Sequence, residues 1–180
     1  RTFHNLKLTV DHDFDPFERI EYYESLWTMD TLFKDYEKTK ERIMDLKEYI
    51  NHSEKEYSLC HIDSVPDNFL FRGDDIKLID WEYAAMQDPH LDIAMFGIYS
   101  LYEKEDMDKL IEAYFDGGCP EKIKVKIYGY IAICGLVWSN WCEFKRMHGV
   151  EFGEYSLKQY RYAKDYYKYV KEYLDHKGEL

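Results

Sequence analysis

The stretch Leu59–Tyr83, LCHIDSVPDNFLFRGDDIKLIDWEY, sets His61, Asp63 and Asn68 in one short polar loop and reaches a lone Asp80 after the mostly apolar run Ile76–Ile79. Within it, YSLCHI before the loop and NFLF after it read as short strands. The RGDD segment supplies turn residues before IKLID, because Gly accepts a positive φ and Asp bonds its own backbone. The spacing predicts a hairpin whose two ends bring Asn68 and Asp80 together.

On either side of this stretch the periodicity is helical. Phe17–Trp27 and Lys38–Ile50 carry apolar residues at helical spacing, with Ile43, Leu46 and Ile50 on one face. After Asp88-Pro89, the segments Leu91–Tyr102, Asp106–Phe115, Glu121–Met147 and Tyr155–Leu174 also read as helices. The expected fold class is mainly α with a small β-hairpin. No repeat, low-complexity tract or Ser/Gly-rich linker divides the chain, so residues 1–180 are expected to form a single domain.

Composition bounds the partners. At 180 residues and 46% apolar the chain can bury a sizeable core. No run approaches the roughly 18 apolar residues of a membrane helix, so no membrane insertion is expected. Cys60, Cys119, Cys134 and Cys142 lack paired C-x-x-C spacing, which fits neither a disulfide framework nor a zinc ribbon and points to a reducing cytoplasm. The net charge of -12 argues against nucleic acid or anionic lipid, either of which needs a basic patch, and favours cationic guests.

The polar groups of the opening stretch have a chemical rationale. In kinase-type phosphoryl transfer an Asp on the loop orients the acceptor hydroxyl, and an Asn five residues on and an Asp after a hairpin hold divalent metal. The matching residues are Asp63, Asn68 and Asp80, with Mg²⁺ expected as the ion because it takes hard carboxylate and amide oxygens. His61 is expected to brace the loop by hydrogen bonds. His52, Cys60 and His61 lack the paired spacing of a structural zinc site.

At these positions the chain also resembles a known family. HIDSVPDNFLF followed by IKLIDWEYAAMQDPHLDIAMF looks like the C-terminal lobe of the choline/ethanolamine kinases, within the aminoglycoside phosphotransferase-like kinases, and is most like the bacterial LicA type. RTFHN at the start resembles the family's segment just after the N-terminal lobe, and the Trp-rich segment CGLVWSNWCEFKRMHGVEFGEYSLKQYRYAKDYY extends the likeness nearly to the end. The resemblance implies Asp63 as catalytic base, Asn68 and Asp80 as magnesium ligands, Glu82 as a helper near the metals, and Asp92 as the aspartate that buttresses the loop. Ile62 and Ser64 depart from the family, which carries a small or polar residue after the His and Leu or Phe after the Asp. No glycine-rich phosphate loop and strand Lys precede RTFHN. The expectation is therefore a C-terminal lobe whose N-terminal nucleotide lobe is absent, a fragment of a longer kinase and inactive alone.

The acceptor is argued from the aromatic residues. Trp138 and Trp141 are three apart on one helix, and Tyr83 follows the metal turn, so the three are candidates for an aromatic cage around the quaternary ammonium of choline. The same spacing fits tryptophans packed in a core. The tyrosines Tyr155, Tyr162, Tyr166, Tyr169 and Tyr173 are expected to be mostly a packing stripe, and Asp11–Asp15 a solvated turn before a helix. The expected activity is ATP-dependent phosphorylation of choline to phosphocholine. The alternatives are another small amine or alcohol (ethanolamine, thiamine, an aminoglycoside) or a non-catalytic module binding a cationic ligand.

Overall fold

A computed structural model describes residues 1–177 of the chain, which form two compact units: Arg1–Phe14 with Glu54–Pro120, and Asp15–Ser53 with the chain from Glu121 onward.

Among the described residues, all four strands lie in the first unit. β1 (Ser58–Cys60) pairs antiparallel with β4 (Ala85–Gln87) in the register Ser58↔Gln87, Leu59↔Met86 and Cys60↔Ala85. β2 (Phe69–Arg72) and β3 (Asp75–Leu78) form the expected hairpin, from Phe69↔Leu78 to Arg72↔Asp75. Its two-residue turn starts at Gly73 with φ +59, a conformation that suits glycine and matches the twist of the strands. The chain's first residues run beside the β1–β4 pair: the Leu59 amide donates to the Leu8 carbonyl at 2.9 Å and the Met86 amide to the His12 carbonyl at 2.9 Å. Two helices complete this unit. α3 (His90–Tyr99) is buried nearly all round, and α4 (Lys104–Tyr114) buries Met107 and Ile111.

The second unit is entirely helical among its described residues, with α1 (Pro16–Ser25), α2 (Tyr36–His52), α5 (Glu121–Met147) and α6 (Glu154–Lys177). Asp15 starts α1 by accepting from the Phe17 amide at 2.7 Å and the Glu18 amide at 3.3 Å, with Pro16 preset at the first helical position. Thus the DHDFD segment ends in a helix cap, while Asp13 bridges to Met86 of the first unit's sheet neighbours within Arg1–Phe14 and β4. In α2 the buried residues Thr39, Ile43, Leu46 and Ile50 form one stripe. α5 is the centre of this unit. Val125 to Val137 are buried without a break, so no solvated face interrupts its apolar sequence. The tyrosine stripe on α6 is narrower than its spacing implies: Tyr162 and Tyr166 are buried, while Tyr155, Tyr169 and Tyr173 are only half-buried. Tyr160, Ala163, Val170 and Leu174 supply the rest of the buried face.

Gly135 fixes how closely α5 and α6 approach. A Cβ there would meet the Gln159 carbonyl oxygen at 2.8 Å and the Ala163 nitrogen at 2.9 Å, both backbone atoms of α6. Gly135→Ala should therefore destabilise the protein by ~1 to 3 kcal/mol despite alanine's better helix propensity. Gly129→Ala meets only the flexible tip of Ile50 at 3.1 Å and should be near neutral. Urea denaturation of the two variants checks the contrast; equal midpoints would show that the α5–α6 spacing does not depend on Gly135.

Candidate active site

The loop after β1 is held in an unusual backbone shape. Ile62 has φ +67 and is buried, a left-handed conformation that costs a β-branched residue ~1 to 2 kcal/mol. Asp92, two residues into α3 and itself buried, offsets that cost. Its Oδ2 accepts the His61 backbone N–H at 2.7 Å and its Oδ1 accepts the Ile62 N–H at 2.8 Å. Hydrogen bonds to a carboxylate contribute ~1.5 to 3 kcal/mol each, enough for the pair to hold the strained turn. The Ser64 hydroxyl adds a bond to the Asp92 backbone carbonyl at 3.2 Å. The residue displayed by this clamped turn is Asp63, half-buried, whose Oδ1 accepts the Tyr99 hydroxyl at 2.7 Å.

Asn68 closes the loop. Pro66–Asn68 form a single 3₁₀ turn, and the Asn68 side-chain Nδ2 donates to the Asp63 carbonyl at 3.0 Å. With its nitrogen so committed, the side-chain oxygen of this buried residue is the atom available to a cation. The Ile79 amide donates to the Asn68 carbonyl at 3.0 Å, extending the β2–β3 ladder by one step. Asp80 follows directly, exposed, with φ +63, a conformation Asp tolerates better than most residues. The hairpin thus brings Asn68 and Asp80 to the same end of one ladder. His61 fastens that end to the loop through its Nε2, which donates to the Ile79 carbonyl at 2.9 Å. Trp81 rests edge-on against the His61 ring at 4.6 Å, and its indole donates to the Leu78 carbonyl at 2.9 Å. The Asn68 amide oxygen and the Asp80 carboxylate, at one end of this ladder, are a hard donor set that fits Mg²⁺. Glu82 lies exposed in the turn after Asp80.

A second group lies beneath the loop. His4, Cys60 and Asp92 bring possible ligand atoms within 4.8 Å of one another, all buried. Their bonds are those of a hydrogen-bonded cluster: His4 Nε2 is 2.9 Å from Asp92 Oδ2, His4 Nδ1 is 2.9 Å from the Tyr114 hydroxyl, and Cys60 Sγ contacts the Gln87 carbonyl at 3.3 Å. Burial pushes the Cys60 thiol far above its ordinary range, which disfavours the thiolate a metal needs.

The aromatic candidates fall in different units. Tyr83 is exposed just past the Asp80 turn. Trp138 and Trp141 lie on α5, half-buried, with centroids 5.6 Å apart and planes at 75°. Around them in the same unit, Tyr23 is 6.4 Å from Trp138, Phe152 is 4.9 Å from Trp141, and the Lys145 ammonium sits 5.5 Å from the Trp141 ring. Two residues of the loop assembly were not legible in the sequence. Tyr99 lies seven residues after Asp92, two turns along the same face of α3, and that spacing was the available signal. His4 gave none, being 88 positions from its partner.

Comparison with known proteins agrees with this geometry. The family model described as the phosphotransferase enzyme family (APH) matches residues 7–128. Protein LicA of Haemophilus influenzae is 29% identical over 170 residues, covering 87% of this chain and 61% of that protein. Among solved structures, LicA in complex with AMP is 28% identical with a TM-score of 0.79, and choline kinase LicA from Streptococcus pneumoniae is 28% identical with a TM-score of 0.78. This chain is covered to 94% and 93% in these two superpositions but spans only 59% of each of the two proteins. A choline/ethanolamine kinase family protein from Mesorhizobium loti, 22% identical, shares the fold with a TM-score of 0.74. With the family match running from the N-terminal segment through the clamped loop and hairpin into α5, the chain belongs to the phosphotransferase enzyme family and has the fold of the C-terminal lobe of its choline kinase-like members.

Proposed function

We propose that this chain is the catalytic lobe of a small-molecule kinase that transfers the γ-phosphoryl group of ATP to the hydroxyl of choline, giving phosphocholine and ADP. The observation that carries the proposal is the Asp92-clamped loop, which holds Asp63 beside an Asn68 and Asp80 gathered at one end of the hairpin. Asp63 aligns the acceptor hydroxyl. The Tyr99 hydroxyl occupies its Oδ1, so Oδ2 is the atom that receives the acceptor's proton as its oxygen bonds to phosphorus and the bond to the ADP oxygen breaks. Asn68 and Asp80, with Glu82 nearby in sequence, would hold Mg²⁺, which would supply charge neutralisation for the phosphates. Residues 1–180 act in this proposal as one lobe that works with a nucleotide lobe of the same enzyme. The exposed apolar side chains of the hairpin, Leu70, Phe71 and Ile76, are the kind of surface such a lobe would cover.

For the acceptor, the near-perpendicular Trp138 and Trp141 offer two ring surfaces to a trimethylammonium group, which has no hydrogen-bond donor to satisfy. Tyr83, exposed in the first unit, is proposed on its own account as an acceptor contact from its place after the Asp80 turn. Half-burial distinguishes the two tryptophans from core residues such as Tyr130 and Leu136, which are shut off from solvent.

In the longest form of the enzyme its gene encodes, Asp63→Asn should lower kcat by ~10²-fold or more while the KM for ATP changes little. Asp80→Ala should instead raise the magnesium concentration needed for half-maximal rate. A coupled ADP-release assay run across a magnesium series separates the two; near wild-type kcat in both variants at ordinary magnesium would refute phosphoryl transfer at this site.

Trp138→Ala and Trp141→Ala should each raise the choline KM by about 5- to 30-fold, the equivalent of ~1 to 2 kcal/mol, and the ethanolamine KM by less. Thermal melting accompanies the kinetics. A variant that melts much earlier yet keeps the choline-to-ethanolamine ratio marks a packing residue and removes it from the acceptor site.

A further inference from the structure

We propose that His4 is a positioning residue for the catalytic loop: its Nε2–H orients the Asp92 carboxylate, and through Asp92 it sets the backbone that presents Asp63. The inference rests on the phosphoryl-transfer role assigned to Asp63. Asp92 Oδ2 receives two donors, the His61 amide at 2.7 Å and His4 Nε2 at 2.9 Å, while Oδ1 receives only the Ile62 amide. A carboxylate that clamps two successive amides must have both oxygens aimed at once, and rotation about its Cβ–Cγ bond would break both bonds together. His4 is the side chain that opposes this rotation.

The hydrogen bonds also assign the His4 tautomer. Asp92 offers only acceptors, so Nε2 carries a hydrogen, and in the neutral imidazole Nδ1 accepts from the Tyr114 hydroxyl at 2.9 Å. Burial raises the pKa of that tyrosine well above its ordinary value, so it stays a donor. The result is one directed chain: Tyr114 hydroxyl to His4 Nδ1, His4 Nε2 to Asp92, and Asp92 to the two successive amides, of His61 and Ile62, that lead into the strained Ile62 backbone. Four separate segments meet in it: the 3₁₀ turn at His4–Leu6, α4, α3 and the loop. All of its members lie in the first unit, and His4 and Asp92 are both buried. Loss of one outer bond to a carboxylate lets the group it positions shift, and a misplacement of about 1 Å costs ~10²-fold in rate where alignment matters.

The test compares two amides that differ only in reach. Glutamine places its NH₂ where Nε2 stood and can still donate to Asp92; asparagine reaches only the Nδ1 position and cannot. In the longest form of the enzyme its gene encodes, His4→Asn should lower kcat by about 10- to 100-fold with the ATP KM within about twofold. His4→Gln should stay within about threefold of the wild type. Hydrogen–deuterium exchange of the His61 and Ile62 amides should quicken by about 10-fold in His4→Asn and return toward the wild-type rate in His4→Gln. Equal kinetic losses in both variants, falling in step with melting temperature, would reduce His4 to packing and overturn the inference. So would unchanged kcat and exchange in His4→Asn. If the wild type transfers phosphate to neither choline nor ethanolamine, the functional proposal fails, and the exchange rates alone decide for or against the His4–Asp92 coupling.

Discussion

The Asp92 carboxylate and the two amides of His61 and Ile62 are the interaction on which the first unit's chemistry depends. A β-branched residue at φ +67 is a poor choice for a turn on its own terms, and glycine or asparagine would adopt that backbone at less cost. The site keeps Ile62 because its side chain is buried, so the residue contributes apolar contact while Asp92 holds its backbone. The cost of the left-handed turn, ~1 to 2 kcal/mol, is smaller than the two charge-assisted bonds that oppose it, so the strained turn persists without glycine. With two successive amides held by one carboxylate, the backbone leading into Ile62 has little freedom to drift, and Asp63, the next residue, inherits that rigidity.

From this clamp the remaining geometry follows by short covalent and hydrogen-bonded steps. Asp63 fixes Asn68 through its carbonyl, Asn68 fixes Ile79 through the ladder, and Ile79 accepts the His61 ring. The circuit ends on His61, one of the two residues whose amides Asp92 clamps. Because it closes, the Asp80 turn on an otherwise exposed hairpin can be positioned with few buried contacts of its own: β2 and β3 expose most of their side chains, and their register, not a core, places Asp80.

How much of this the sequence disclosed depends on the range of each interaction. Asp63, Asn68 and Asp80 were legible because a loop and a two-residue turn fix their relation within a few residues, and the hairpin formed where Gly73 and Asp74 predicted it. Helix α5 was legible end to end, since its apolar run has clear limits at Glu121 and Met147. β4 was missed: three residues after an irregular turn carry no alternation, and its strand character comes from pairing with β1, 25 or more positions away. His4 was missed for the same reason in stronger form. Nothing near RTFHN distinguishes a surface histidine from one buried against Asp92, because burial there is created by α3 and α4, elements whose packing local sequence does not encode. The tyrosines of α6 erred in the other direction, as regular spacing overstated how many rings a finite helical face can bury.

The two units hold their proposed functional residues by different means. Every residue assigned to phosphoryl transfer lies in Arg1–Phe14 and Glu54–Pro120, where backbone bonds and buried polar groups set positions to within a hydrogen bond's tolerance. The tryptophans assigned to the acceptor lie on α5, in a unit held by apolar burial and by the close approach that Gly135 permits. Aromatic faces tolerate small displacements, because cation–π attraction and apolar contact vary slowly with distance, whereas in-line transfer does not. If the proposed acceptor role of Trp138 and Trp141 holds, substituting either ring would leave the Asp92 clamp and the hairpin register, which are set by bonds within the first unit, as they are.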